Sequence, residues 1–148
     1  MGVVFNKSST QYTTLQARYD GDGTVWRQAV AGDTLVAKTP VQIIYNEYGA
    51  VTLALADGTD YYYVGVPAAA ASAGDIVWLQ TGGFVEDVVT PAITTVVGYA
   101  LDILDGAIAQ TTAADFDGNA GEFAVCTEAS TASTHDMMLI DRMILETT

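Results

Sequence analysis

Cysteine, histidine and positive charge are all scarce in this 148-residue chain. Cys126 is the single cysteine, which excludes an intrachain disulfide and a thiolate metal cluster within one chain. In "EFAVCTE" it reads as a half-buried strand residue. No run approaches the roughly 18 apolar residues of a membrane span, and "MGVVFNKSSTQY" has neither a basic n-region nor a long apolar h-region. The chain is therefore expected to be used without export by a signal of its own, and without a membrane partner. A Gly-rich phosphate loop leading into a helix is also lacking, which removes the usual nucleotide chemistry.

Five Lys or Arg stand against eighteen Asp or Glu, a formal net charge of -13. Nucleic-acid binding starts from clustered cations that neutralise phosphate, whereas Lys7, Arg18, Arg27, Lys38 and Arg142 are scattered. Direct binding to DNA or RNA is excluded on that ground, and an anionic membrane surface is disfavoured for the same reason. Half of the residues are hydrophobic and 16% are charged, so the chain can bury a core and does not have the composition of a disordered one.

What is present is strand chemistry. β-Branched and aromatic runs recur about every 8 to 12 residues between Gly, Asp, Asn and Pro, the pattern of a barrel or sandwich. Strands are predicted near residues 12–19, 24–29, 34–37, 41–45, 51–55, 61–66, 76–80, 84–88, 94–103, 123–127 and 137–145. Asp20-Gly21-Asp22-Gly23, Glu47-Tyr48-Gly49, Asp57-Gly58 and Gly82-Gly83 read as hairpin turns, giving a mainly antiparallel meander. In "VVGYALDIL", Val97, Tyr99, Leu101 and Ile103 fall on one face, Gly98, Ala100 and Asp102 on the other. "PAAAASA" after Pro67 supports at most one short helical turn. The fold class is thus all-β, mainly antiparallel, a β-barrel or β-sandwich, in one domain over residues 1–148 with an N-terminal arm at 1–10. Ala-Gly-Asp occurs at residues 31–33 and 73–75, the same local turn device without a sustained repeat.

Catalytic chemistry is hard to assemble. His135 is the only histidine, and a triad built on Ser130 or Ser133 with His135 and Asp136 fails because adjacent strand side chains face opposite ways. The same alternation separates Glu86 from Asp87 as a carboxylate pair. Asp115, Asp117 and Asn119 resemble the start of a calcium loop, but its sixth and twelfth positions are Ala120 and Cys126; Asp20 and Asp22 offer no more than an Asp-Gly turn. Tyr61 and Tyr63, or Trp78, could line a sugar-binding surface, although strand aromatics more often pack across strands. The expectation is no enzyme, no catalytic residue, no metal and no cofactor.

The order in "VGVPAAAASAGDIVWLQTGGFVEDVVTPA" and "VVGYALDILDGAIAQT" resembles small tailed-bacteriophage head decoration, or capsid cement, proteins. The resemblance spans roughly residues 32–110 and is one of turns and strands. It implies a non-enzymatic structural protein, made in the bacterial host cytoplasm and bound to the outer surface of the assembled capsid. The implied partners are the major capsid protein and further copies of the chain, a trimer being favoured. Val3, Val4 and Phe5 in the arm are the candidate capsid contacts, by strand addition. A tail or baseplate β-domain and a carbohydrate-binding module are the competing readings.

Overall fold

The computed structural model describes residues 16–46, 49–56, 61–104, 106–111 and 121–144. These form strands β1 (Ala17–Tyr19), β2 (Val25–Val30), β3 (Val41–Asn46), β4 (Gly49–Ala54), β5 (Tyr63–Pro67), β6 (Ile76–Val89), β7 (Ala100–Leu104), β8 (Ala107–Gln110), β9 (Ala124–Cys126) and β10 (Thr134–Leu139). All ten belong to one mostly antiparallel sheet, and no helix occurs among the described residues. The fold is all-β.

Its strands pair into two barrels that share β6. In the first, β2 pairs with β6, β6 with β5, β5 with β3 and β3 with β4. The ring closes where β4 meets β2 in parallel, Val51 opposite Val30. In the second, β6 pairs with β10, β10 with β9, β9 with β7 and β7 with β8. Here β8 is the terminal strand, and among the described residues no pairing returns it to β6.

Both barrels use one order of parts: strand, bridged loop, hairpin, strand, bridged loop, strand. The Leu35 N–H donates to the Ala71 carbonyl at 2.9 Å in the first, as Thr95 does to Ser130 at 2.8 Å in the second. Lys38 donates to the Pro67 carbonyl at 2.8 Å, and Gly98 to the Cys126 carbonyl at 2.9 Å. Lys38 and Gly98 occupy the same turn position with φ of 64° and 89°. Only one of the two is glycine, so the match is one of backbone device and hides from a residue-by-residue reading.

Two apolar cores follow from the strand alternation. Ala29, Leu35, Ile43 and Leu79 pack inside the first barrel; Val88, Leu101, Phe123, Met137 and Ile144 pack inside the second. Strand β5 is the wall between them. Its Val64 and Val66 enter the second core, while Gly65 faces the first, where an added Cβ would lie 2.9 Å from Leu79 Cβ. At roughly 25 cal/mol per Å2 of buried apolar surface, this sharing lets each barrel gain from the other's wall.

Several expectations are corrected. Gly82-Gly83 is no hairpin turn: β6 runs through it as one strand of 14 residues. The glycines serve close approach, since a Cβ on Gly83 (φ 88°) would lie 2.8 Å from the Gly23 carbonyl oxygen. Residues 34–37 form a bridge and a turn in place of a strand, because the left-handed Lys38 ends any extension. Likewise Val96 to Tyr99 is a turn, and β7 starts only at Ala100; Leu101 and Ile103 are buried as read, whereas Val97 is 61% exposed. The alanine run makes no helical turn, since the Ala71 N–H is taken by the Leu35 carbonyl. Asp57-Gly58 lies outside the described residues, and the strands flanking it do not pair as a hairpin, both being paired with β3. Asp20 to Gly23 does turn β1 into β2.

Candidate functional site

His135 lies on β10 with 1% of its surface exposed. Its Nε2 is 2.7 Å from the Ala132 carbonyl, which can only accept, so Nε2 carries the proton. Nδ1 is 3.2 Å from Thr95 Oγ1, and that hydroxyl also accepts the Ser130 N–H at 3.1 Å and lies 2.9 Å from the Glu128 carbonyl. Both ring nitrogens are thus used to staple the second barrel's bridged loop. The Ser130 hydroxyl accepts the Ala132 N–H, and no triad forms with Ser130, Ser133 and Asp136.

Asp136 faces away, its carboxylate accepting the Asp87 N–H at 2.9 Å. Here Glu86 and Asp87 oppose Asp136 alone, a β-bulge in which Asp87 takes φ of 55°. Both carboxylates are exposed, so alternation does not separate them as an ideal strand would. Asp22 accepts from the Thr24 N–H and hydroxyl, which hold its carboxyl below the ordinary range, while Asp20 takes Arg18 at 3.0 and 3.3 Å. These are turn and ion-pair roles. Asp115, Asp117 and Asn119 lie outside the described residues, as do Val3, Val4 and Phe5.

The proposed tyrosine platform is not formed as a pair. Tyr61 is an exposed bend residue with φ of 57°, whereas Tyr63 lies over the Arg27 guanidinium at 4.2 Å. Trp78 belongs to a stack that sequence reasoning missed: Arg18 lies over Trp26 at 5.3 Å and over Trp78 at 5.2 Å. The pairing of β1, β2 and β6 brings the three together. A sugar would have to displace the guanidinium to stack on those faces, so this surface is better read as cation–π packing.

The strongest polar cluster among the described residues is built on Arg27 and Asp141. Arg27 makes two hydrogen bonds of 2.8 Å to Asp141, their side chains 11% and 17% exposed. The Thr81 hydroxyl donates to the same carboxylate at 2.8 Å. Burial alone would raise the Asp141 carboxyl, but these donors and the charge of Arg27 outweigh it and hold it low. Tyr45 and Tyr63 nearby are pushed up, chiefly by burial. The cluster ties β2, β6 and the segment after β10 together. Cys126, buried on β9, has its thiol pushed up by desolvation and is chemically quiet.

Concave surface lies elsewhere. One cavity of about 310 Å3 is lined by Leu35, Val36, Val41, Leu53 and Leu55. A second of about 310 Å3, lined by Pro40, Leu55, Val89, Pro91, Ala107 and Ile108, sits at the unclosed side of the second barrel. Both are mainly apolar, and no group of three metal-ligating side chains is found among the described residues.

The fold has a solved counterpart. The chain is similar to the head fiber gp8.5 N base of bacteriophage phi29, with a TM-score of 0.50 and 17% identity over 84% of this chain and 99% of that one. At that identity the likeness is one of fold. No protein-family model matches the chain, and neither does any curated protein.

Proposed function

We propose that this chain is a non-enzymatic structural protein of a phage head, carried on the outer surface of the capsid and bound to the major capsid protein. The observation that supports it most is the fold likeness, which takes in nearly the whole of the phi29 head-fiber base. Two physical features agree. Net charge -13 keeps the protein soluble and away from packaged DNA, and the buried His135 ring and the Arg27–Asp141 pair are spent on fixing loops and strands. Neither a cofactor nor a metal has a part in this role.

Attachment to the major capsid protein is proposed to rest on apolar and backbone contacts repeated by symmetry over the shell. Residues 1–148 would act as one β-rich unit, made in the host cytoplasm, with trimers making individually modest contacts persistent by multivalency. The test is reconstruction of purified particles together with cosedimentation of the protein with empty heads. Density outside the shell at symmetric positions is expected. Finding the chain only in the tail or baseplate would overturn the reading, as would a failure to bind heads accompanied by hits on a glycan array.

A further inference from the structure

We infer that the unclosed side of the second barrel is an acceptor for an extended strand, and that its occupant is the N-terminal segment, residues 1–10, of a neighbouring copy. The first barrel shows what the second lacks. There β4 lies against β2, and Gly32, just past β2, donates its N–H to Thr52 Oγ1 at 3.0 Å. A Cβ at Gly32 would collide with the Thr52 carbonyl, so glycine is what allows the strands to close. In the second barrel Thr90 takes the place of Ala31: their N–H groups donate to Ser133 and to Asp75, each at 2.8 Å. The next residue is therefore Pro91 where the first barrel has Gly32. Proline has no N–H to give and its ring fills the space the approaching strand would need.

Consequently β8 cannot close onto β6 as β4 closes onto β2. The Thr111 N–H donates to the Ala100 carbonyl, so antiparallel alternation directs the main-chain groups of Ile108 and Gln110 to the outer edge. Beside that edge is the cavity of about 310 Å3 between Val89, Pro91, Ala107 and Ile108. It offers main-chain partners on one side and an apolar socket on the other, the two requirements of strand addition.

The occupant follows from charge and reach. Residues 1–15 carry Lys7 and no acid, whereas the rest of the chain holds all eighteen acidic residues. Val3, Val4 and Phe5 supply apolar side chains for the socket. Fifteen extended residues span up to roughly 50 Å, and β1, into which they lead, is the strand at the opposite end of the sheet order from β8. Passing each arm to the next copy gives a head-to-tail contact of the kind that closes rings.

The test mixes two differently tagged full-length variants, Val4→Cys and Ala107→Cys, under mild oxidation. A mixed disulfide joining the two tags is expected. No link in the mixture overturns the proposal, and so does an intrachain link in the double variant without one in the mixture, since the arm would then serve its own chain. In parallel, a peptide of residues 1–12 should bind a chain lacking residues 1–10, which should sediment as a smaller species than the full chain. Ala107→Trp, filling the socket, should weaken the peptide about tenfold or more; undiminished binding, or an oligomer unchanged by the deletion, refutes the inference. Absence from heads would overturn the proposed function and leave this result standing.

Discussion

Replacing Asp141 by Asn tests whether the buried ion pair holds the two barrels together. The Arg27 side chain is 11% exposed and has Asp141 as its ion-pair partner. Removing one member of a buried pair costs about 3–5 kcal/mol, because the remaining charge stays desolvated. The Tyr63 ring over the guanidinium recovers part of this, and the asparagine oxygen can still accept one bond, so about 2–4 kcal/mol is expected. For a chain of this size that lowers Tm by roughly 5–15 °C. Replacing both groups with apolar residues, Arg27→Met with Asp141→Leu, should cost much less than the single change. Urea unfolding followed by circular dichroism reads both. The acid limb gives a second check: Asp141 is held below its ordinary value, so its stabilisation is complete above about pH 4 and is lost as pH falls through the folded value. The Asp141→Asn variant should therefore lose less stability than the parent on going from pH 5 to pH 2. A single substitution costing under about 1 kcal/mol, with an unchanged acid limb, would refute the reasoning.

Gly83→Ala should cost about 2 kcal/mol or more in chemical denaturation, since it combines positive φ with contact to the Gly23 and Thr24 backbone; Gly74→Ala, with φ of 92° in open space, should cost only about 1 kcal/mol. Equal costs would show that the crossing at Gly83 is not tight. His135→Ala removes two hydrogen bonds and leaves a small cavity, so a loss of about 2–3 kcal/mol is expected, with hydrogen exchange rising first at Ser130 and Thr95; unchanged exchange there would contradict the stapling role. Cys126 should react with a thiol reagent only at the rate of unfolding, because burial both hides the thiol and disfavours its thiolate. Rapid labelling of the native protein would show the β9 region to be open.

Strand content was legible because it rests on local chemistry. Alternating apolar residues such as Leu101 and Ile103 bury one face whatever their partners. What a glycine does was not legible, because two demands look alike in sequence. Asp20 to Gly23 marks a turn, while Gly82-Gly83 marks a place where another backbone passes within contact distance. The Trp26–Arg18–Trp78 stack was missed for a related reason, since no spacing relates residues that three paired strands bring together. His135 looked like a solitary histidine until the fold brought Thr95, 40 residues away in sequence, and the Ala132 carbonyl to its ring.

The two Ala-Gly-Asp phrases carry the same lesson. They are not the corresponding parts of a repeat; they lie side by side in the first barrel, where Ala31 donates to the Asp75 carbonyl and accepts from the Gly74 N–H. The repeat that does exist relates Lys38 to Gly98 and Gly32 to Pro91, residues unlike one another. Composition and alternation by themselves determined an acidic all-β chain, because solvation and face burial depend only on residue type and period. Only the tertiary structure decided that there are two barrels, that they share β6, and that one is closed and the other open. Those outcomes depend on how closely two backbones approach and whether an N–H is present at one position, which pairing alone reveals.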